Sequence, residues 1–71
     1  MEEKFLKTIS EVINADVSEL TMDLEYKKDE RWDSLAMMNI VMELEDQFGV
    51  SIPIEKLADV KKLRDLYEMI K

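Results

Sequence analysis

The sequence predicts an all-α fold: a small four-helix bundle, three helices long and one short, with a long loop between helices 1 and 2. Three observations predict it. Apolar residues recur at helical spacing in three separate windows, 2–14, 34–48 and 60–70. Helix punctuation brackets the middle window, with Asp33 just ahead of it and Gly49 just behind. Between the first two windows, residues 15–32 carry no sustained period, so a long connection is expected there.

The first helix is expected from Glu2 to about Asn14. Phe5, Leu6, Ile9, Val12 and Ile13 fall on one face, and acids at its start suit the positive end of the helix dipole. From Ala15 to Trp32 the chain reads as an ordered loop with Val17, Leu20, Leu24 and Tyr26 as apolar anchors and a turn of helix starting at Ser18. A connection this long allows helices 1 and 2 to run in the same general sense. The second helix, Ser34–Phe48, opens on the N-cap Asp33 and stops at Gly49. Val50 and Ile52 then lead to Pro53, which suits the first position of a short helix through about Leu57. Asp59 is expected to cap a last helix, Val60–Ile70, with Val60, Leu63, Leu66, Tyr67 and Ile70 facing inward. Repeats, linkers and low-complexity tracts are absent, and residues 1–71 are expected to form one domain.

Composition excludes several functions. A chain of 71 residues buries only about 60% of the surface its unfolded form exposes, so its core is thin. With no Cys there is no disulfide, no thiolate metal site and no thiol nucleophile. With no His, a Ser-His-Asp hydrolase and a His-ligated zinc site are ruled out within the chain, and no metal is expected. The start, Met-Glu-Glu-Lys-Phe-Leu-Lys, lacks the flank and apolar run of a signal peptide, and no segment approaches a membrane span. A soluble, cytoplasmic, monomeric protein is expected. A net charge of −7 argues against nucleic acid as a partner.

The distribution of charge says more than its total. No Lys or Arg occurs from Trp32 to Glu55, while Asp33, Glu43, Glu45, Asp46 and Glu55 do. Such a face steers basic partner surfaces in diffusional encounter, or is simply a solvated surface. On the second helix, at about 100° per residue, Met37, Ile40, Val41, Leu44 and Phe48 form the core stripe. Leu35, Met38 and Met42 form a second apolar row, bordered by Asn39, Glu45 and Asp46. Either this row is exposed and meets several partners, since Met repacks readily, or the long loop upstream covers it. Ser34 sits in the first turn, where free N–H groups and the helix dipole favour a phosphate.

Three features together resemble the acyl carrier protein family, the phosphopantetheine-binding carrier domains. They are Asp33-Ser34-Leu35 opening an apolar helix, the ending Glu43-Leu44-Glu45-Asp46-Gln47-Phe48-Gly49, and the step Ile52-Pro53 before a short helix. The resemblance covers essentially the whole chain in length and element order. It implies a carrier, not an enzyme, with 4′-phosphopantetheine attached to Ser34 through a phosphodiester and an acyl or aminoacyl group held on the arm as a thioester. Asp33 would help orient the phosphopantetheinyl transferase. Leu35, Met38, Met42, Glu45 and Asp46 would meet client enzymes: a loading ligase for the acyl or aminoacyl group, and synthases or transferases with basic surfaces.

The residues agree with that implication. A Ser without a neighbouring His or Lys is a poor nucleophile and needs activation by another protein, and a chain without Cys needs a cofactor to supply a thiol. Two departures stand out. Trp32 precedes Asp33 where fatty-acid-type carriers usually have Gly or Ala; either it covers the loop, with its N–H finding a partner, or it is an exposed contact near the arm, the second being slightly favoured. The segment after Pro53 is also shorter than is usual, and together these imply a specialised carrier outside primary fatty-acid synthesis. The competing readings are an unmodified acidic helical interaction module docking through Leu35, Met38 and Met42, and an aminoacyl or peptidyl carrier. A catalytic pair of Asp33 and Glu30 is weaker, because neither belongs to a recognisable pocket motif.

Overall fold

The computed structural model describes residues 1–71, in the order α1 (Glu2–Ile13), a 3-10 turn (Val17–Glu19), α2 (Ser34–Phe48), a 3-10 helix (Ile54–Asp59) and α3 (Leu63–Ile70). Both ends of the first helix follow local rules. Glu2 and Glu3 occupy its first turn, and Asn14 closes it in the left-handed conformation at φ 58°, a backbone region that Asn tolerates better than most residues. For α2, the Asp33 carboxylate accepts from the Ala36 N–H at 2.9 Å, and Gly49 at φ 64° closes the last turn through its N–H to Glu45 O at 3.0 Å.

One apolar core joins these elements. Phe5, Ile9 and Ile13 of α1, Met37, Ile40, Val41 and Leu44 of α2, and Leu63, Leu66 and Ile70 of α3 are all buried, each set at helical spacing. Ile52 and Val60, on either side of the second 3-10 helix, complete it. Phe48, expected in the core stripe, is only half-buried. It closes the end of the bundle, where Lys4 Nζ lies 5.0 Å from its ring centroid. The same ammonium donates to Gln47 O at 3.1 Å. The start of α1 therefore meets the end of α2, so these helices run antiparallel and not in the same sense. The long loop does not span the bundle; its length goes into packing.

That packing differs from the expectation in detail. Leu20 is buried and Leu24 and Tyr26 are half-buried, but Val17 is 47% exposed because it opens the 3-10 turn on the outside. Met22 and Trp32 go inward instead. The loop is then stitched to the segment before α3. Tyr26 N–H donates to Lys61 O at 2.8 Å, Leu63 N–H to Leu24 O at 3.0 Å, and Arg64 N–H to Met22 O at 2.8 Å, around an antiparallel bridge of Glu25 with Lys62.

The stitching explains why α3 starts at Leu63 and not at Val60. Residues 60–62 are extended so that their backbone can pair with the loop. Asp59 therefore ends the 3-10 helix instead of capping α3, and Pro53 precedes that helix in extended conformation at ψ 138°. The capping carboxylate is Asp65, whose Oδ2 accepts from Lys61 N–H at 2.8 Å and Lys62 N–H at 3.0 Å. These two bonds hold its carboxyl below the usual carboxylate range.

Two measurements check this account. Leu44→Ala, at a fully buried position, is expected to cost about 3 kcal/mol or more in denaturant unfolding, whereas Phe48→Ala should cost roughly half of the 3–5 kcal/mol typical of a buried Phe. Equal losses would place Phe48 inside the core. A carboxyl held down only in the folded state stabilises the fold above the ordinary carboxylate range, and the stabilisation disappears as pH falls through the folded value. Asp65→Asn should therefore be about 1 kcal/mol less stable at neutral pH. The gap to the parent protein should close progressively in acid below about pH 4. A gap that stays constant down to acid pH would show that the charge of Asp65 contributes nothing.

Candidate functional site

The site is built around the start of α2. Because Asp33 is extended, at φ −104° and ψ −171°, it turns the chain into the helix and leaves Ser34 exposed on the first turn. The carboxylate of Asp33 takes the Ala36 N–H, and its carbonyl takes the Met37 N–H at 2.9 Å. The N–H groups of Ser34 and Leu35 precede the helical ladder and find no protein acceptor. An exposed hydroxyl thus stands beside two free donors at the positive end of a long helix, which fits a phosphate ester.

A shallow cleft of about 430 Å³ borders Ser34 and is lined by Lys27, Asp29, Glu30, Trp32, Asp33 and Leu35 as well. Its charges are not equivalent. Asp29 is clamped by Arg31, whose Nη2 lies 2.7 Å from Oδ2 and whose Nε lies 3.0 Å from Oδ1. That side-chain bonding is the main reason the Asp29 carboxyl falls to about 2, with the Arg31 backbone N–H adding to it. Arg31 is in turn occupied by Asp29 and by Glu19, at 3.1 Å, so its charge is committed to holding the loop against the 3-10 turn. Lys27 is the cation of the cleft without an ion pair. Asp33 and Glu30 flank the same cleft, yet Asp33 is engaged as a cap, which removes it from acid/base work.

Trp32 is not an exposed contact. It is 0% exposed and stacks edge-on against Tyr26, with centroids 5.3 Å apart and planes at 61°. The reason lies in the turn that precedes it. Trp32 N–H donates to Asp29 O at 2.9 Å and Trp32 O accepts from Lys27 N–H at 3.2 Å, which aims the indole at the core. Its Nε1–H has no hydrogen-bond partner, a cost of about 1–3 kcal/mol that the large buried ring offsets.

Of the two alternatives for the second apolar row of α2, the structure takes the exposed one: Leu35 at 73%, Met38 at 40% and Met42 at 63%. The loop does not cover it, being occupied with the core and with α3. Asp46 borders this row as an exposed charge. Glu45 does not, because it is half-buried and its Oε2 accepts from the Ile52 N–H at 2.8 Å. It anchors the chain after α2 rather than presenting a free charge. Ile54, on the second 3-10 helix, is a further large apolar residue in solvent.

Sequence reasoning missed two residues at the site. Tyr26 was expected only as an apolar anchor, yet its hydroxyl lies 3.0 Å from Ser34 Oγ. Lys27 adopts φ 69° and lines the cleft, and neither placement has a signal in local spacing.

Comparison with known proteins agrees with this geometry. A family model described as "Phosphopantetheine attachment site" matches residues 3–70. An acyl carrier protein of Rickettsia bellii (strain OSU 85-389) is 35% identical over 71 residues, covering 100% of this chain and 88% of its own. One from Helicobacter acinonychis is 34% identical over 62 residues, covering 87% and 80%. A probable acyl carrier protein of Caulobacter vibrioides is 58% identical over 38 residues, covering 54% and 44%. No helix is long and apolar enough to cross a membrane. The chain belongs to the phosphopantetheine-binding acyl carrier protein family, and is therefore a carrier and not an enzyme, bearing covalent 4′-phosphopantetheine and serving a phosphopantetheinyl transferase and partner enzymes.

Proposed function

We propose that Ser34 is the attachment point, within a single carrier domain spanning residues 1–71. The observation that carries this reading is the exposed Ser34 hydroxyl on the first turn of α2, with two free N–H groups beside it and the Asp33 cap behind it. In the modification, Ser34 Oγ attacks the pantetheine-bearing phosphorus of coenzyme A. The Oγ–P bond forms as the pyrophosphate P–O bond breaks, adenosine 3′,5′-bisphosphate leaves, and the serine proton passes to a base of the transferase. The thiol at the far end of the arm then holds the cargo. Asp33 fixes the backbone at the start of α2 and is an acidic contact for the transferase.

Leu35, Met38, Met42 and Asp46 form the surface that partner enzymes meet. Their exposure along one side of α2 supports this, as does the absence of Lys and Arg between Trp32 and Glu55. The partners are a ligase that loads an acyl or aminoacyl group, and synthases or transferases with basic surfaces. The carrier works as a cytoplasmic monomer. Trp32 in place of a small residue before Asp33 supports a specialised pathway over primary fatty-acid synthesis, with aminoacyl cargo as the second choice.

Incubated with coenzyme A, Mg²⁺ and a broad-specificity phosphopantetheinyl transferase, the protein should gain the mass of one phosphopantetheine, and Ser34→Ala should gain none. An unmodified parent protein, under conditions that modify a control carrier, would remove Ser34 as the attachment point and favour the interaction-module reading. For the partner surface, Met42→Ala is expected to shift stability by only about half a kcal/mol. Asp46→Lys combined with Glu43→Lys should slow modification mainly through association and weaken its salt dependence. Glu45 is left intact in that test because it holds Ile52. The surface assignment fails if Met42→Ala unfolds the domain while the charge reversals leave kcat/KM unchanged at low salt.

A further inference from the structure

Tyr26 and Ser34 lie eight positions apart, on a loop and a helix respectively, yet their hydroxyl oxygens are 3.0 Å from each other. The contact is not a by-product of helical geometry. The loop places the phenol there, and several independent interactions hold it in place. Its ring packs edge-on against Trp32, itself fully buried. Its backbone N–H is bonded to Lys61 O at 2.8 Å, in the strand-like pairing that ties the loop to the start of α3. Lys27 Nζ stands 5.5 Å from the ring centroid, on a residue that also lines the cleft beside Ser34.

We propose that Tyr26 is a positioning residue of the attachment site: its hydroxyl pairs with Ser34 Oγ in the unmodified chain, donates to a phosphodiester oxygen in the modified one, and so sets the direction in which the arm leaves α2. The inference rests on Ser34 being the attachment point. In the unmodified chain either hydroxyl can donate. Once Oγ is esterified it has lost its proton and can only accept, so the pairing survives only with the phenol as donor. The ester also brings two non-bridging oxygens, sharing one negative charge, to the same place. A hydrogen bond to an ionised oxygen is roughly twice as strong as a neutral one, so modification strengthens the contact.

Lys27 adds to the effect, since its ammonium is free of an ion pair and lies on the same side of the site. The nearby acid Asp29 is neutralised by Arg31. The phenol cannot swing with the arm, because its ring is fixed against Trp32 and its backbone against Lys61. It therefore acts as a fixed post against which the first bonds of the arm are oriented.

The variant Tyr26→Phe keeps the ring and removes only the hydroxyl. Holo forms of the parent and the variant are compared by the ³¹P resonance of the phosphodiester and by the separation of the two geminal methyl proton signals of the arm, which are diastereotopic and whose separation changes when the arm is held in one orientation. The expected result in the parent protein is a ³¹P resonance and a methyl separation that both differ from those of the urea-unfolded holo protein. In Tyr26→Phe both should move to the values of the urea-unfolded holo protein, with apo melting unchanged. Identical spectra for the two folded holo proteins overturn the inference. Should Tyr26→Phe fail to fold, the parent protein with ¹³C at the tyrosine ζ carbons decides: modification should move the Tyr26 signal and leave Tyr67 in place, and two unmoved signals overturn the proposal. A parent protein that accepts phosphopantetheine at a residue other than Ser34, or not at all, removes the attachment reading itself and this inference with it.

Discussion

The burial of Trp32 is the constraint on which the rest of the site depends. It is among the largest fully buried side chains in a thin core, and it immediately precedes the capping Asp33. Anchoring the residue before the cap fixes the direction from which the chain enters α2, and with it the position of Ser34. The unpaired indole N–H works against this burial, but a ring of that size removes far more apolar surface from water than one orphaned donor costs. The same ring provides the face against which Tyr26 stands. One buried side chain therefore positions the cap, the Ser34 hydroxyl and its phenol neighbour together.

The loop would otherwise be the weakest part of a small domain. A long connection without regular structure carries many backbone groups that need partners. Here several find them in the extended segment before α3, and the Arg31 N–H finds the Asp29 carboxylate, while the Arg31 side chain clamps Asp29 and Glu19. The clamp is exposed, so its energetic contribution is small and sensitive to salt. Its role is to hold the turn in shape. The backbone pairing with residues 61–64 is the more durable attachment, and it shortens α3 to eight residues as a consequence.

Electrostatics divides α2 along its length. At its start, free N–H groups, the helix dipole and Lys27 favour an anion on Ser34. Farther along, Glu43 and Asp46 present negative charge beside Leu35, Met38 and Met42. The apolar row stays in solvent because both faces adjoining the core are already occupied, by α1 and by the residues that follow α2. Exposure of that row leaves less apolar surface buried in a chain of this size.

What the sequence determined by itself is what depends on neighbours within about one helical turn. The bounds of α2 from Ser34 to Phe48, its Asp33 cap, its Gly49 stop, the core stripe Met37, Ile40, Val41 and Leu44, and the existence of a second apolar row beside it all follow from helix end signals and spacing at about 3.6 residues per turn, whereas the exposure of that row was decided by where the loop packs. The family signature is legible for the same reason, since Asp33-Ser34-Leu35 is read in register with that helix. The tertiary structure alone decided whatever pairs residues far apart in the chain. Trp32 reads as an amphipathic surface residue until the turn at Asp29 points it inward. Val60 reads as the start of a helix until its neighbours pair with Glu25 and Tyr26. Glu45 reads as a free charge until Ile52 N–H returns to it, and Tyr26 as an anchor until the loop brings its hydroxyl to Ser34. None of these outcomes has a local period, because each depends on which residues distant in the chain the packed helices and the loop bring together.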